Sequence, residues 1–306
     1  MKGARTAEAA LVSNTVVWGA TFILVKVALE DISPILFLAI RFSIAAIVLA
    51  AIFRPDFRKL RRPAVLLAGV FLFAGYLLQT IGLQYTTAPK SAFITGLTSV
   101  MAPLLAALVY RNRPLVAEVA GILMALAGLG LMTLGGPIGS VNRGDLLTVL
   151  CAFAFAAYIV AVGHFSEQMS FELLSVVQIV TAAGLGLSMF WWAEKPHLVW
   201  RPAVIYAILI TGLFATALAF TVQAWAQRYV SATRTALIYM LEPVFAWVTS
   251  FVVAGEGLAG RAAAGAALIL GGVLLAEMKP WNSRQHPLIL GDLPQAYRDA
   301  GKHAEE

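Results

Sequence analysis

Tyr85-Thr-Thr-Ala-Pro-Lys-Ser-Ala-Phe-Ile-Thr-Gly-Leu-Thr-Ser-Val-Met-Ala102 and Tyr229-Val-Ser-Ala-Thr-Arg-Thr-Ala-Leu-Ile-Tyr-Met-Leu-Glu-Pro-Val-Phe-Ala246 stand 144 residues apart and read as two copies of one element. Carried outward to 79–109 and 223–253, the match gives nine identities in 31 ungapped positions. They include Gln79 with Gln223, Ala88 with Ala232, Leu97 with Leu241 and Val109 with Val253, while Lys90 with Arg234 and Ser91 with Thr235 are close substitutions. A fixed period of this kind is the mark of an internal repeat. Each copy starts in polar turn chemistry and runs into an apolar segment of membrane-spanning length.

The whole chain is written in such segments. Of its 306 residues 60% are apolar and 12% charged, against roughly 25% charged in soluble domains. The mean hydropathy is +0.83. Too little charge is present to cover a soluble surface of this size, which excludes a pair of water-soluble domains. A transmembrane barrel needs short alternating strands, and these runs are too long and too uniformly apolar. The reading is an all-α polytopic membrane protein with ten spans near 8–29, 34–53, 64–85, 91–110, 115–134, 144–163, 172–193, 202–224, 231–253 and 260–279. The breaks between them carry turn and cap chemistry, as at Ile32-Ser33-Pro34, Arg54-Pro55-Asp56 and Gly135-Gly136-Pro137. The stretch before Glu30 is too long for a signal peptide and has no small-residue cleavage site, so it is read as the first span. Residues 281–306, rich in charge and containing Pro287 and Pro294, are read as a flexible cytoplasmic tail.

Five spans in each copy is an odd number, so the second copy must enter the membrane from the opposite side. Two inverted five-helix repeats, 1–137 and 138–280, follow. Ten spans place both termini on one side. With that side cytoplasmic, fourteen Lys and Arg fall there, against Lys90, Arg143, Lys195, Arg201 and Arg261 opposite, as the positive-inside rule requires. The same rule accounts for the net charge of +6 without a nucleic-acid partner. Inverted repeats rocking around a central site are an architecture of secondary transporters.

The run ending Leu241-Glu242-Pro243-Val244-Phe245-Ala246, the closing Gly255-Glu256, Trp18-Gly19-Ala20-Thr21-Phe22 with Lys26, and Arg41-Phe42 together resemble the EamA family of the drug/metabolite transporter superfamily. The resemblance extends over about residues 8–279. It implies a ten-helix carrier of the inner (cytoplasmic) membrane, usually an exporter of amino acids or related small metabolites. The first repeat departs from the pattern, with Thr98-Ser99 in place of Glu-Pro and Arg111-Asn112 in place of Gly-Glu. A symmetric pair of functional carboxylates is therefore not expected.

Ionisable side chains within the bilayer cost about 2.5–3.5 kcal/mol each on insertion scales, which makes each a functional candidate. Glu242 is the deepest, about eleven residues or 16 Å into its span, and is a candidate proton-binding group; it could equally satisfy carbonyls freed by Pro243. Arg41 lies too deep to snorkel and could take a substrate carboxylate in its planar fork. Lys26 is nearer the surface. Gln79 and Gln223, equivalent under the repeat, could bind substrate or bridge helices. Trp18, Tyr76, Tyr158 and Tyr239 complete the substrate-path candidates, with Thr95, Ser99 and Gln178 as further polar positions. Lys90 and Arg234 read as interfacial anchors, and Trp191, Trp192 and Trp281 as belt residues. Ala117-Gly121-Ala125 and Ala263-Ala267-Gly271 mark close helix contacts, preferred within the fold.

An intramembrane enzyme is not expected: His-Glu-x-x-His, paired membrane aspartates and a P-loop are missing. The four histidines and the single cysteine, Cys151, suggest neither a metal site nor a disulfide. No cofactor is expected. Lys26 and Arg41 in the first two spans, with no mid-depth acid beside them, favour zwitterionic or anionic metabolites over cations. The expectation is thus a secondary transporter that exports amino acids or related small zwitterionic or anionic metabolites by alternating access through a central cavity between the repeats, with protons a candidate coupling ion. A lipid flippase of the same architecture and a membrane scaffold are the alternatives.

Overall fold

In hydrocarbon a helix is the one open-chain structure that satisfies its own backbone, and helix is what the apolar runs form. The computed structural model describes residues 2–60, 63–82, 84–86, 88–111, 115–133, 142–254 and 260–277. Its helices are α1 (Lys2–Ala28), α2 (Pro34–Phe53), α3 (Leu66–Gly82), α4 (Ala88–Thr95), α5 (Thr98–Tyr110), α6 (Val116–Thr133) and α7 (Arg143–Ser166). There follow α8 (Phe171–Met189), α9 (Pro202–Gly212), α10 (Ala219–Ala226), α11 (Ala232–Tyr239), α12 (Glu242–Ala254) and α13 (Gly260–Glu277). A π-helical turn, Leu213–Leu218, joins α9 to α10 in one continuous run. Among the described residues there is no strand, and six helical runs are long and apolar enough to cross a membrane. Two shorter apolar helices, Val116–Leu131 and Gly260–Leu275, accompany them. Exposed Leu108, Val116, Ile47 and Leu146 make the outer surface apolar, the reverse of a soluble protein and suited to lipid.

Two details depart from the expected runs. The first helix starts at Lys2 and not at residue 8, because Ala4 to Ala10 are mostly good helix formers. The runs 91–110 and 231–253 are each two helices, interrupted at Gly96-Leu97 and Met240-Leu241. Adding 144 to the bounds of α4 and α5 gives 232–239 and 242–254, the bounds of α11 and α12.

Helix starts are satisfied locally. Asn142 and Asp145 form a capping box on α7, while Ser170 and Ser231 accept from the third residue of α8 and α11. The start of α2 is capped from the other half of the chain: Glu194 accepts from Ile35 N at 3.0 Å and Leu36 N at 2.8 Å. Ser33 N also donates to the His197 carbonyl at 3.0 Å, and Val199 N to the Asp31 carbonyl at 2.8 Å. The segment after α8 is thereby tied to the α1–α2 turn.

Packing brings positional counterparts together, with α6 on α13 and α2 on α8, while α5 packs on α11, the counterpart of its neighbour α4. The α3–α7 contact is matched by α1 on α9 and α10, and α5–α7 by α1–α12. The small-residue stripes of α6 and α13 meet each other. A Cβ at Gly128 would fall 2.5 Å from the Gly265 carbonyl, and one at Gly272 would strike the Gly121 carbonyl and stand 2.9 Å from Ala125 N. The backbone contact thus runs through Gly272, one residue beyond the expected Gly271, whose added carbon would meet the flexible end of Met124.

Candidate functional site

The two interruptions lie against one cavity of about 230 Å³. In the second half Pro243 has no N–H to continue the helix and its ring excludes the residue four back. The chain closes α11 with tight turns, Met240 N to Leu237 O at 3.1 Å and Leu241 N to Ile238 O at 3.0 Å, and restarts at Glu242-Pro243, where an early proline is tolerated. In the first half Gly96 and two hydroxyls do this work. Ser99 Oγ donates to the Gly96 carbonyl at 2.8 Å, a local bond that competes with the helix ladder, while Thr98 Oγ1 reaches across to the Ala152 carbonyl of α7 at 3.2 Å. Thr95, Gly96, Thr98 and Ser99 from one break and Tyr239, Met240, Glu242 and Pro243 from the other all line the cavity.

Eight of the nine expected site residues face this space: Trp18, Arg41, Tyr76, Gln79, Tyr158, Gln223, Tyr239 and Glu242. The ninth, Lys26, has its side chain outside the described residues, as does Lys90; Trp281 also lies outside them. Arg41 is buried on α2. Its Nε donates to Thr216 Oγ1 at 2.6 Å, and its Nη2 to the Ala215 carbonyl at 3.2 Å and to the Tyr76 hydroxyl at 3.3 Å. The guanidinium carbon sits 4.7 Å from the Tyr76 ring centre, a cation–π distance. Glu242 shares the cavity with Arg41, yet no ion pair within 4.0 Å joins the two, and the carboxyl has no hydrogen bond to a described residue. A guanidinium and a carboxyl thus face one cavity without forming a direct ion pair.

A cluster of aromatic rings forms part of the remaining wall. Phe220 is their hub, with ring centres 5.6 Å from Trp18, 5.7 Å from Tyr158 and 6.2 Å from Tyr76. Tyr239 meets Trp18 edge-on at 4.8 Å and Phe155 meets Tyr76 at 5.3 Å. Such tilted and edge-to-face pairs fix the rings in place. Tyr239 Oη and Thr95 Oγ1 are buried and neither makes a well-formed hydrogen bond; Asn14 and Cys151 are their polar neighbours.

The paired glutamines have different surroundings. Gln223 is fully buried in a chain of amides: Tyr158 donates to its Oε1 at 3.5 Å, its Nε2 donates to Gln227 Oε1 at 2.9 Å, and Gln227 Nε2 donates to the Ile159 carbonyl at 2.8 Å. That is helix bridging. Gln79 is half-buried on α3, lines the cavity and makes no hydrogen bond to another described residue. Gln178 is away from the cavity wall, donating to the Phe220 carbonyl at 3.4 Å. Arg234, expected as an interfacial anchor, is buried and paired with Glu8 of α1 at 3.0 Å; the close approach of α1 and α11 supplies the partner. Trp191 and Trp192 are exposed, as belt residues should be.

Phe155, Phe220 and Thr216 were not legible as site residues. The two phenylalanines resemble every other apolar helix position. Thr216 matters only through a π-helical turn that no local pattern announces.

Gly19 explains the Trp18-Gly19 pairing. A Cβ there would lie 2.7 Å from Ala246 N and 3.0 Å from the Glu242 carbonyl. Glycine lets the backbone of α12 close on α1 while Trp18, its neighbour, reaches the cavity and donates to the Ala215 carbonyl at 2.8 Å.

The chain is 34% identical over 273 residues to an uncharacterized transporter of Archaeoglobus fulgidus, covering 89% of this chain and 86% of that one. It is 26% identical over 289 residues to a protein of Streptantibioticus cattleyicolor named a probable terminal-alkyne amino-acid exporter, covering 90% and 95%. A protein crystal structure shares the fold with a TM-score of 0.76 and 22% identity, covering 89% of this chain and 96% of that one. The profile of the EamA-like transporter family matches residues 5–134 and 142–278, nearly the full length of both halves, and the chain belongs to that family.

Proposed function

We propose that this transporter exports amino acids or related small zwitterionic or anionic metabolites by alternating access through the central cavity. The observation that carries the reading is the placement of Arg41 and Glu242 on one cavity, unpaired with each other, between two interrupted helices. A zwitterion has one group for each. Half-helices meeting at a central site are the device by which many secondary transporters hold charged ligands. The cavity volume of about 230 Å³ is below the roughly 300–1,000 Å³ of pockets for drug-sized ligands, which favours a small metabolite over a lipid. The name of the Streptantibioticus relative points to the same substrate class.

We further propose ten spans in two inverted five-helix repeats, 1–137 and 138–280, with residues 281–306 a cytoplasmic tail and both termini on the cytoplasmic side of the inner membrane. The two separate matches of the family profile, the offset of 144 between α4–α5 and α11–α12, and the reciprocal packing of counterpart helices support this reading. In this arrangement the residues at the breaks line a path that each repeat opens in turn. Glu242 is the candidate for proton coupling.

Purified protein in proteoliposomes, given a panel of labelled neutral L-amino acids with and without a pH gradient, tests this. The expected result is saturable flux that the gradient accelerates, and a Glu242→Gln variant with a raised KM whose remaining flux no longer responds to the gradient. Flux indifferent to pH and to Glu242→Gln would make the carrier facilitative and Glu242 a structural residue. No saturable flux of any amino acid would overturn the substrate class.

A further inference from the structure

The Nε edge of Arg41 is held by two hydrogen bonds, and the holder is the π-helical turn Leu213–Leu218. An α-helix would give the Ala215 carbonyl to the N–H of Ala219. In the π turn that N–H reaches back five residues to Phe214, and the Ala215 carbonyl instead accepts from Trp18 Nε1 at 2.8 Å and Arg41 Nη2 at 3.2 Å. Thr216 is likewise diverted. The neighbouring Thr211 and Thr221 hydroxyls donate to their own helix, to Ala207 at 2.6 Å and Ala217 at 2.7 Å. The Thr216 hydroxyl is fully buried and accepts from Arg41 Nε at 2.6 Å.

A guanidinium carries five N–H groups in a rigid plane. Here the Nε edge is fixed by Thr216 and Ala215, and the second N–H of Nη2 makes a long 3.3 Å bond to the Tyr76 hydroxyl. Nη1 has no partner among the described residues, and Arg41 lines the cavity. The positions 144 residues away from Trp18, Arg41 and Thr216 are Val162, Leu185 and Leu72, so the device exists on one side of the molecule only.

We propose that Thr216 is a positioning residue for substrate recognition. It locks the Nε edge of Arg41 so that the Nη1 edge faces the cavity and takes the substrate's carboxylate, with the loosely held Tyr76 hydroxyl turning to donate to the same group. This rests on the reading of the cavity as an amino-acid site. It assigns the anionic end of the substrate to the face between α2, α3 and the π turn, and leaves the ammonium end to Glu242.

The test uses full-length protein in proteoliposomes with labelled L-leucine as probe and L-leucinamide, which lacks the carboxylate, as competitor. Thr216→Val keeps the side-chain shape and removes the acceptor. The expected result is a KM for L-leucine raised about 10-fold, the usual scale for one hydrogen bond to a charged group, with maximal flux changed less than about twofold. Thr216→Ser should restore the wild-type KM, and competition by L-leucinamide should be the same in all three proteins. An unchanged KM in Thr216→Val, or a fall in maximal flux at constant KM, overturns the positioning role while leaving the substrate reading intact. A wild-type protein without saturable L-leucine flux overturns both. Should Thr216→Val fail to purify as a monodisperse protein, Thr216→Ala carries the same expectation.

Discussion

Arg41→Gln lowers neutral amino-acid flux at subsaturating substrate by about 10- to 100-fold, the loss expected when a charge-assisted hydrogen bond of about 1.5–3 kcal/mol is removed. Two things disappear together. On the proposed reading the substrate's carboxylate loses its cationic partner, and the Ala215 carbonyl and Thr216 hydroxyl lose the donors that Arg41 supplies. Arg41→Lys separates these effects. An ammonium keeps the charge but is a point donor, so it cannot hold Thr216 and Ala215 while presenting a second edge to the cavity. Its flux should fall between wild type and Arg41→Gln. Initial rates measured at matched protein density in proteoliposomes give the comparison, and wild-type flux from Arg41→Gln would remove Arg41 from the substrate path.

Gly19→Val cuts both stability and flux, and even Gly19→Ala has a measurable effect. The added carbon meets backbone atoms, Ala246 N at 2.7 Å and the Glu242 carbonyl at 3.0 Å, with no flexible side chain to yield. Overpacking of this kind costs about 1–3 kcal/mol, and the only relief is to move α1 off α12 at the level of Glu242. Gly184→Ala in α8 is the matched control, since an added carbon there meets nothing within 4 Å. Its thermal unfolding in detergent should equal or slightly exceed wild type, because alanine is favoured over glycine in helix by about 0.5–1 kcal/mol. Equal melting temperatures and fluxes for Gly19→Ala and wild type would contradict the α1–α12 contact.

Much of this architecture was legible because bilayer-spanning segments obey few rules. Helical segments such as 34–53 coincide with α2 because a proline start, an apolar run and a closing Arg54-Pro55 leave little choice. The cavity candidates could be found by depth alone: a glutamate, an arginine and a glutamine inside apolar helices each need a reason to be there. What remained hidden depended on partners distant in the chain. The break at Gly96-Leu97 lacks the proline that flags Met240-Leu241; its Ser99 hydroxyl turns back on the Gly96 carbonyl, and the Thr98 hydroxyl finds its carbonyl on a helix 54 residues away. The π turn exists beside donors from α1 and α2, about 200 residues away in the case of Trp18, whose bond to Ala215 has a separation of 197. The split fates of Gln79 and Gln223, one without a partner among the described residues and one bridging, could not be read from their shared register. Arg234 looked like an interfacial anchor because Glu8 is 226 residues from it in sequence.

Counterflow is the measurement closest to the central claim, that one cavity binds a small zwitterion and presents it to each side of the membrane in turn. Proteoliposomes are loaded with millimolar unlabelled L-leucine and diluted into trace labelled L-leucine without any ion gradient. A carrier with an alternating central site accumulates label transiently above equilibrium, then loses it as the internal pool runs down, and Arg41→Gln suppresses the overshoot. Label entering no faster than into protein-free liposomes, across the whole neutral amino-acid panel, would contradict the account.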